Sequence, residues 1–337
     1  MSDFEYIRKL TEEIEQKNLC SWATLSSKTL GREVFEEPCD IRTEFQRDRD
    51  RIIHSKSFRR LKHKTQVFIA PIGDHYRTRL THTLEVSQIA RTVARALRLN
   101  EDLTEAISLG HDLGHSPFGH AGESALNNLC PTGFKHYKQS VRILEHIERD
   151  GVGLNLTKEV INGILCHTSG EQAFTPEGRL VRICDKIAYI NHDIEDSIRA
   201  GILEPNSIPN YLIKNLGDTC SARIDTLVKS LIQNSKDNNI IMSAEATKNF
   251  EEIHEFMYKN VYLNKRSFSE EHKVPFVINS LYNYFKNNFD KIPSYLQKLS
   301  YKDGPDRVIC DYISGMTDEF AINLFKKIFL PGASKVY

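Results

Sequence analysis

The chain has 337 residues, with 45 Lys plus Arg balanced by 45 Asp plus Glu and 40% hydrophobic residues. A formal charge of zero argues against a surface built to coat nucleic acid, and this composition excludes disordered, collagen-like and membrane-embedded chains. At roughly 150 residues per domain the length fits one large or two ordinary domains, enough to bury a core without disulfide staples.

The first segment, MSDFEYIRKLTEEIEQ, is charged and amphipathic, and Phe4, Ile7, Leu10 and Ile14 at helical spacing predict a helix docked on the core. It lacks the apolar stretch of a secretory signal, and no later run approaches the roughly 20 apolar residues of a membrane span. Seven scattered cysteines with no Cys-x-x-Cys pair fit reduced thiols, so a cytoplasmic location is expected. Between Arg47 and Lys64 eight basic residues face only Asp48 and Asp50. That run reads either as a solvated helix face or as a polyanion-binding patch. Val67, Phe68 and Ile69 before Pro71 and Gly73 suggest a short hairpin over 65–77.

From Leu80 to Leu97 the residues Val86, Ile89, Ala90, Val93 and Leu97 recur at three and four, so a helix is predicted with His82 toward its core side. A second helix, 101–113, stops at Gly114 and delivers His111 and Asp112 at its end. A third, 180–199, has Leu180, Ile183, Cys184, Ile187, Ile190 and Ile194 at helical period and carries beside them a polar stripe at spacing four: Asp185, Tyr189 and Asp193. Residues 205–304 are rich in Asn, Lys and Ser, with helical stretches such as 246–258. No long alternation of period two occurs. The expected fold is all-α, divided into an N-terminal segment packing on the core (1–40), a core region (41–204) and a helical accessory region (205–337).

Five of the 13 histidines, His82, His111, His115, His120 and His136, crowd one stretch. The run His111-Asp112-Leu113-Gly114-His115-Ser116-Pro117-Phe118-Gly119-His120, followed by Glu123, places an imidazole and a carboxylate side by side at a helix end. That mix suits Mn, Fe, Mg, Ni or Zn, with His82 and Asp185 as the natural further ligands. Singly, each residue has a duller reading. A lone His82 is most often a hydrogen-bonded core histidine, and a lone Asp185 a solvated helix residue.

Four runs resemble the HD-domain phosphohydrolases, and among them the deoxynucleoside triphosphate triphosphohydrolases, often called dGTPase-like proteins. They are RDRDRIIHSKSFRRLKHKTQVF (47–68), RTRLTHTLEV (77–86), the 111–123 run and RICDKIAYINHDIEDSIRAGIL (182–203). A fifth, weaker one is DYISGMTDEFA (311–321). The resemblance implies a helical HD fold with additional C-terminal helices, and cleavage of a dNTP to deoxynucleoside and tripolyphosphate. It implies His82, His111, Asp112 and Asp185 as ligands of a divalent metal, and His120 with Glu123 as the catalytic dyad. Arg79, His115, His136, Lys186 and Tyr189 become phosphate contacts, and Gln66 and Asp193 contacts to the 3′ hydroxyl. Tyr137 departs from the family, standing where an acidic or amide residue is usual. Relatives imply a homo-oligomer, a hexamer or tetramer, and an allosteric dNTP or single-stranded DNA as ligand of the basic run. Two rivals stand beside this reading: another HD hydrolase (a nucleotidase, a guanosine tetraphosphate hydrolase or a cyclic dinucleotide phosphodiesterase), and a non-catalytic nucleotide or single-stranded DNA binder.

Overall fold

A computed structural model describes residues 5–66, 77–168, 170–263 and 270–331. Within them the chain is helical, with no strand beyond isolated bridges, and none of its helices is long and apolar enough to cross a membrane. Most of the hairpin expected over 65–77 lies outside the described residues; its flanks Thr65 and Thr78 form a single antiparallel bridge.

The expected helices appear with caps that explain their ends. The first, Arg79–Leu97, buries Val86, Ile89, Ala90 and Val93. The second, Glu101–Gly110, begins where the Asn100 side chain accepts from the Leu103 N–H, and His111 follows as its C-cap. The third starts four residues earlier than the apolar spacing alone indicated. It spans Pro176–Arg199, with the Thr175 side chain accepting from Gly178 N–H and Pro176 in the first turn, where its missing N–H costs nothing.

The chain forms two compact units, each drawn from three separate segments rather than following the linear division at 40 and 204. The first unit is Met1–His54, Thr81–His111 and Asn155–Ser267. Its core brings together the helices Glu44–Ile53, Glu101–Gly110, Lys158–Leu165 and Pro176–Arg199, through Phe45, Ile52, Leu103, Ile107, Ile164, Leu180 and Ile187. The N-terminal helix Glu5–Asn18 departs from expectation. Ile7, Leu10 and Ile14 are 41%, 39% and 48% exposed, so the apolar stripe does not dock. The helix is held instead through its polar side, where Glu15 is buried and accepts from the N–H and the hydroxyl of Ser26.

The basic run is largely neutralised from within. Arg47 pairs with Glu36 and Glu44, Arg49 with Asp50, Asp102 and Glu105, and Arg51 with Glu36. In the second unit Lys56 pairs with Asp150, while Arg60 and Lys64 donate to backbone carbonyls.

The second unit is Ser55–Leu80, Asp112–Leu154 and Phe268–Tyr337. Its core packs the helices Gly119–Leu129, Val274–Asn287 and Pro305–Ser314 around Leu126, Phe134, Ile278, Leu281, Val308 and Ile313. The C-terminal helices therefore back the helix that carries His120 and Glu123.

Glu177 fixes the start of the long helix in the first unit. It is fully buried and accepts from Thr24 N–H (3.0 Å), the Thr24 hydroxyl (2.7 Å) and Asn100 N–H (3.1 Å). Truncation strands a buried backbone donor at Asn100 and a part-buried one at Thr24, so Glu177→Ala should cost on the order of 3 kcal/mol in urea unfolding, whereas Asp290→Ala, at an exposed site, should stay within about 0.5 kcal/mol. Equal losses for the two variants would contradict this role for Glu177.

Candidate active site

In the first unit, the helix Arg79–Leu97 presents His82 from its first turn, the end of Glu101–Gly110 presents His111, and Pro176–Arg199 presents Asp185. The Nε2 atoms of both imidazoles approach one carboxylate oxygen, Asp185 Oδ1, at 3.1 Å from His82 and 3.6 Å from His111. His111 is fully buried, and its Nδ1 lies 2.6 Å from the Ser108 carbonyl, so Nδ1 carries the proton and a neutral ring aims the Nε2 lone pair at the carboxylate. Two electron-rich atoms in this position call for a positive charge between them. Metal–ligand bonds of about 2.0–2.2 Å put adjacent donors roughly 3.0–3.6 Å apart, which these separations match. The donor set of imidazole nitrogens and a hard oxygen fits a divalent ion.

The second unit holds another cluster, joined to the first in the chain by the His111–Asp112 peptide bond. Asp112 gives one oxygen to Arg79 Nη1 at 3.0 Å and the other to His115 Nε2 at 3.1 Å. His115 stacks on His136 with ring centroids 4.1 Å apart, and its centroid is 6.1 Å from that of His120. Burial, reinforced by the Arg79 charge, pushes the His115 imidazole well below its usual value, so it is neutral at neutral pH. Solvent reaches His120 although protein crowds it on most sides, and that crowding, with Arg79 next, lowers its imidazole as well. Three polar atoms here are buried without a hydrogen-bond partner among the described residues: Gln66 Oε1, Arg79 Nε and His115 Nδ1. Unpaired buried polar atoms are costly, and a polar ligand that satisfied them would recover that cost.

Glu123 differs from its expected pairing. Its carboxylate accepts from His136, at 2.9 Å from Nδ1 and 3.4 Å from the backbone N–H. A carboxylate one turn along a helix can face either a helix neighbour or an incoming segment. Here the His136 helix fills the nearer position.

Close packing over 111–123 explains two of its glycines. A Cβ at Gly114 would lie 2.2 Å from both His136 O and Ser140 N, and one at Gly122 would lie 1.9 Å from Pro117 O. A side chain at Gly114 would push the loop off the His136 helix, and one at Gly122 would push its helix off Pro117.

On the long helix, Tyr189 and Asp193 follow Asp185 at spacing four, as the sequence indicates, and Lys186 is exposed beside them. Three neighbours escaped sequence reasoning. The Tyr262 hydroxyl donates to Asp193, and burial together with Asp193 pushes that phenol well above its usual value. The His254 ring meets Tyr189 edge-on at 6.4 Å. His167 lies 5.0 Å from His111, ring to ring, with its Nδ1 2.7 Å from the Ile164 carbonyl. It could offer a ligand atom alongside His111 and Asp185. Tyr262 and His254 sit in a segment without a motif, and His167 follows an ordinary helix end. A cavity of about 370 Å³, lined by Lys186, Tyr189, Phe250 and His254 among others, opens beside this helix.

Residues 79–190 match the HD domain and residues 240–327 the phosphohydrolase-associated domain. A deoxyguanosinetriphosphate triphosphohydrolase-like protein of Caldanaerobacter subterraneus subsp. tengcongensis is 55% identical over 96% of each chain. Proteins of the same description from Clostridium perfringens (strain 13) and Clostridium tetani are 50% and 48% identical, each over 96% of this chain and 98% and 97% of theirs. The chain belongs to the deoxyguanosinetriphosphate triphosphohydrolase-like family of HD-domain phosphohydrolases.

Proposed function

We propose that the protein is a metal-dependent hydrolase of deoxynucleoside triphosphates that releases deoxynucleoside and tripolyphosphate. The observation that carries this reading is the approach of His82 and His111 to one oxygen of Asp185. The description of the most similar relatives supports the substrate class. His82, His111 and Asp185 hold a divalent ion, with Asp112, the next residue after His111, as fourth ligand. When bound, such an ion supplies Lewis-acid stabilisation of charge on a phosphoryl oxygen and lowers the pKa of water.

The remaining work falls to the chain's own residues. His120, neutral and reached by solvent, takes a proton from water or returns one to the leaving 5′ oxygen. Glu123 fixes the ring orientation of His136. Arg79, His115, His136, Lys186 and Tyr189 form the phosphate cradle, and the unpaired Nε–H of Arg79 supports that role. Gln66 and Asp193 take the 3′ hydroxyl, for which the unpaired Gln66 Oε1 is an acceptor. A homo-oligomer and an allosteric dNTP or single-stranded DNA belong to the same proposal, although the internal pairing of the basic run leaves few of its cations for a polyanion. A cytoplasmic location is supported by seven free cysteines.

With Mn²⁺ or Mg²⁺, at least one dNTP should yield deoxynucleoside and tripolyphosphate in equal amounts by product chromatography. Orthophosphate, or a monophosphate with pyrophosphate, would instead indicate one of the other HD activities.

Replacing a ligand should act on the ion itself. His111→Ala and Asp185→Asn should each weaken Mn²⁺ binding at least ~100-fold by titration calorimetry. An unchanged Kd in either variant would contradict the ligand assignment.

The acid limb of kcat/KM should lie below pH 6.5. The His120 pKa is depressed, so the neutral base persists as pH falls and activity is lost only when pH passes below that lowered value. His120→Ala should reduce kcat about 10²–10⁴-fold and remove this limb. A limb unchanged in His120→Ala would assign it to another group.

A further inference from the structure

The C-terminal stretch DYISGMTDEFA has no part in the chemistry above, yet it is wired to the segments that carry it. Lys64 is almost fully buried, and its ammonium donates to the His115 carbonyl and, at 2.9 Å, to the Ser314 carbonyl. The next residue, Thr65, gives its N–H (3.1 Å) and hydroxyl (2.7 Å) to Asp318 Oδ2. The other oxygen, Asp318 Oδ1, accepts the N–H of Phe118 at 3.0 Å, and Asp318 itself is buried. One carboxylate thus joins the residue before Gln66 to the residue two before His120. Asp311, a few residues earlier, accepts from Gln139 at 3.0 Å and pairs with Arg142 at 2.7 Å, on the helix that begins with His136.

Phe118 needs such a restraint. It has φ +64° and caps the helix Gly119–Leu129 in the left-handed region, which costs a residue with a Cβ about 1–2 kcal/mol. A conformation of this kind persists only where its surroundings impose it. The Phe118 side chain, 3% exposed in the core of the second unit, anchors one end of the residue, and Asp318 anchors its N–H. Release of that N–H would let the turn relax and rotate the first residues of the helix, His120 among them.

We propose that Asp318 is a positioning residue for the phosphohydrolase reaction, clamping the Phe118 turn to Thr65 so that His120 keeps its place beside His115 and His136. The link to catalysis rests on the proposed function; the clamp itself does not.

The test compares Asp318→Asn with Thr65→Val, which removes only the hydroxyl arm, and with Asp306→Asn. The last removes a carboxylate charge that accepts a 2.6 Å hydrogen bond from Tyr282 in the same unit and leaves the turn alone. In Asp318→Asn the amide keeps one acceptor oxygen and turns an NH₂ toward the other donor, so the bridge loses its acceptor at Thr65 or at Phe118. Amide exchange at Thr65 or Phe118, whichever loses its acceptor, should accelerate at least ~10-fold in Asp318→Asn and about 3-fold in Thr65→Val, and stay at the wild-type rate in Asp306→Asn. At temperatures where all variants are fully folded, kcat should fall about 10-fold in Asp318→Asn, with KM and the Mn²⁺ Kd within about 2-fold, and stay unchanged in Asp306→Asn. Exchange unchanged at both Thr65 and Phe118 in Asp318→Asn would overturn the clamp, and accelerated exchange with undiminished kcat would overturn its positioning role. A wild-type protein that hydrolyses no dNTP would defeat the proposed function while exchange still decides the clamp.

Discussion

Two imidazole nitrogens facing one carboxylate oxygen is an arrangement that a buried site tolerates only with positive charge among the three atoms. His111 has already committed its Nδ1 proton to the Ser108 carbonyl, so its Nε2 offers a lone pair to Asp185 rather than a hydrogen. A proton can satisfy one such contact; a divalent ion can satisfy all of them and also keep positions for substrate and water. Much of the first unit serves this convergence. The Asn100 cap sets where the second helix begins, and the Glu177 hydrogen bonds set where the long helix begins.

The second cluster is built on a different principle, that of a loop held under constraint. Asp112 divides its oxygens between Arg79 and His115, His115 stacks on His136, and His136 bonds to Glu123. Each contact fixes a ring plane or a tautomer, and the loop that connects them approaches the His136 helix so closely that Gly114 admits no side chain. Two histidines whose burial lowers their pKa, His115 and His120, lie here, which keeps both imidazoles neutral at neutral pH.

Much of this was legible in the sequence because helical period and helix-stop residues are local signals. Val86 to Val93 located one helix face, Gly114 and Pro117 located a stop, and the spacing of Asp185, Tyr189 and Asp193 placed three polar groups on one stripe. What stayed hidden depends on contacts between distant segments. Glu123 and His120 are one turn apart, yet the carboxylate bonds to His136, thirteen residues on, because another helix arrives there. Tyr262 reaches Asp193 across 69 residues with no motif to mark it. The N-terminal stripe of Ile7, Leu10 and Ile14 misled for a related reason: period identifies an apolar face but not whether anything covers it, and buried Glu15 proved the stronger anchor. Charge runs are equally silent about pairing, and Arg47, Arg49 and Arg51 found their acids in Glu36, Glu44 and Asp102.

The most direct test of the shared ion is X-ray absorption at the metal edge of protein loaded with one equivalent of Mn²⁺ or Co²⁺. The account predicts two imidazole ligands, seen through their outer-ring scattering, together with oxygen donors at about 2.0–2.2 Å. The imidazole signal should halve in His82→Ala. A spectrum of oxygen donors alone, or one indifferent to His82, would contradict it.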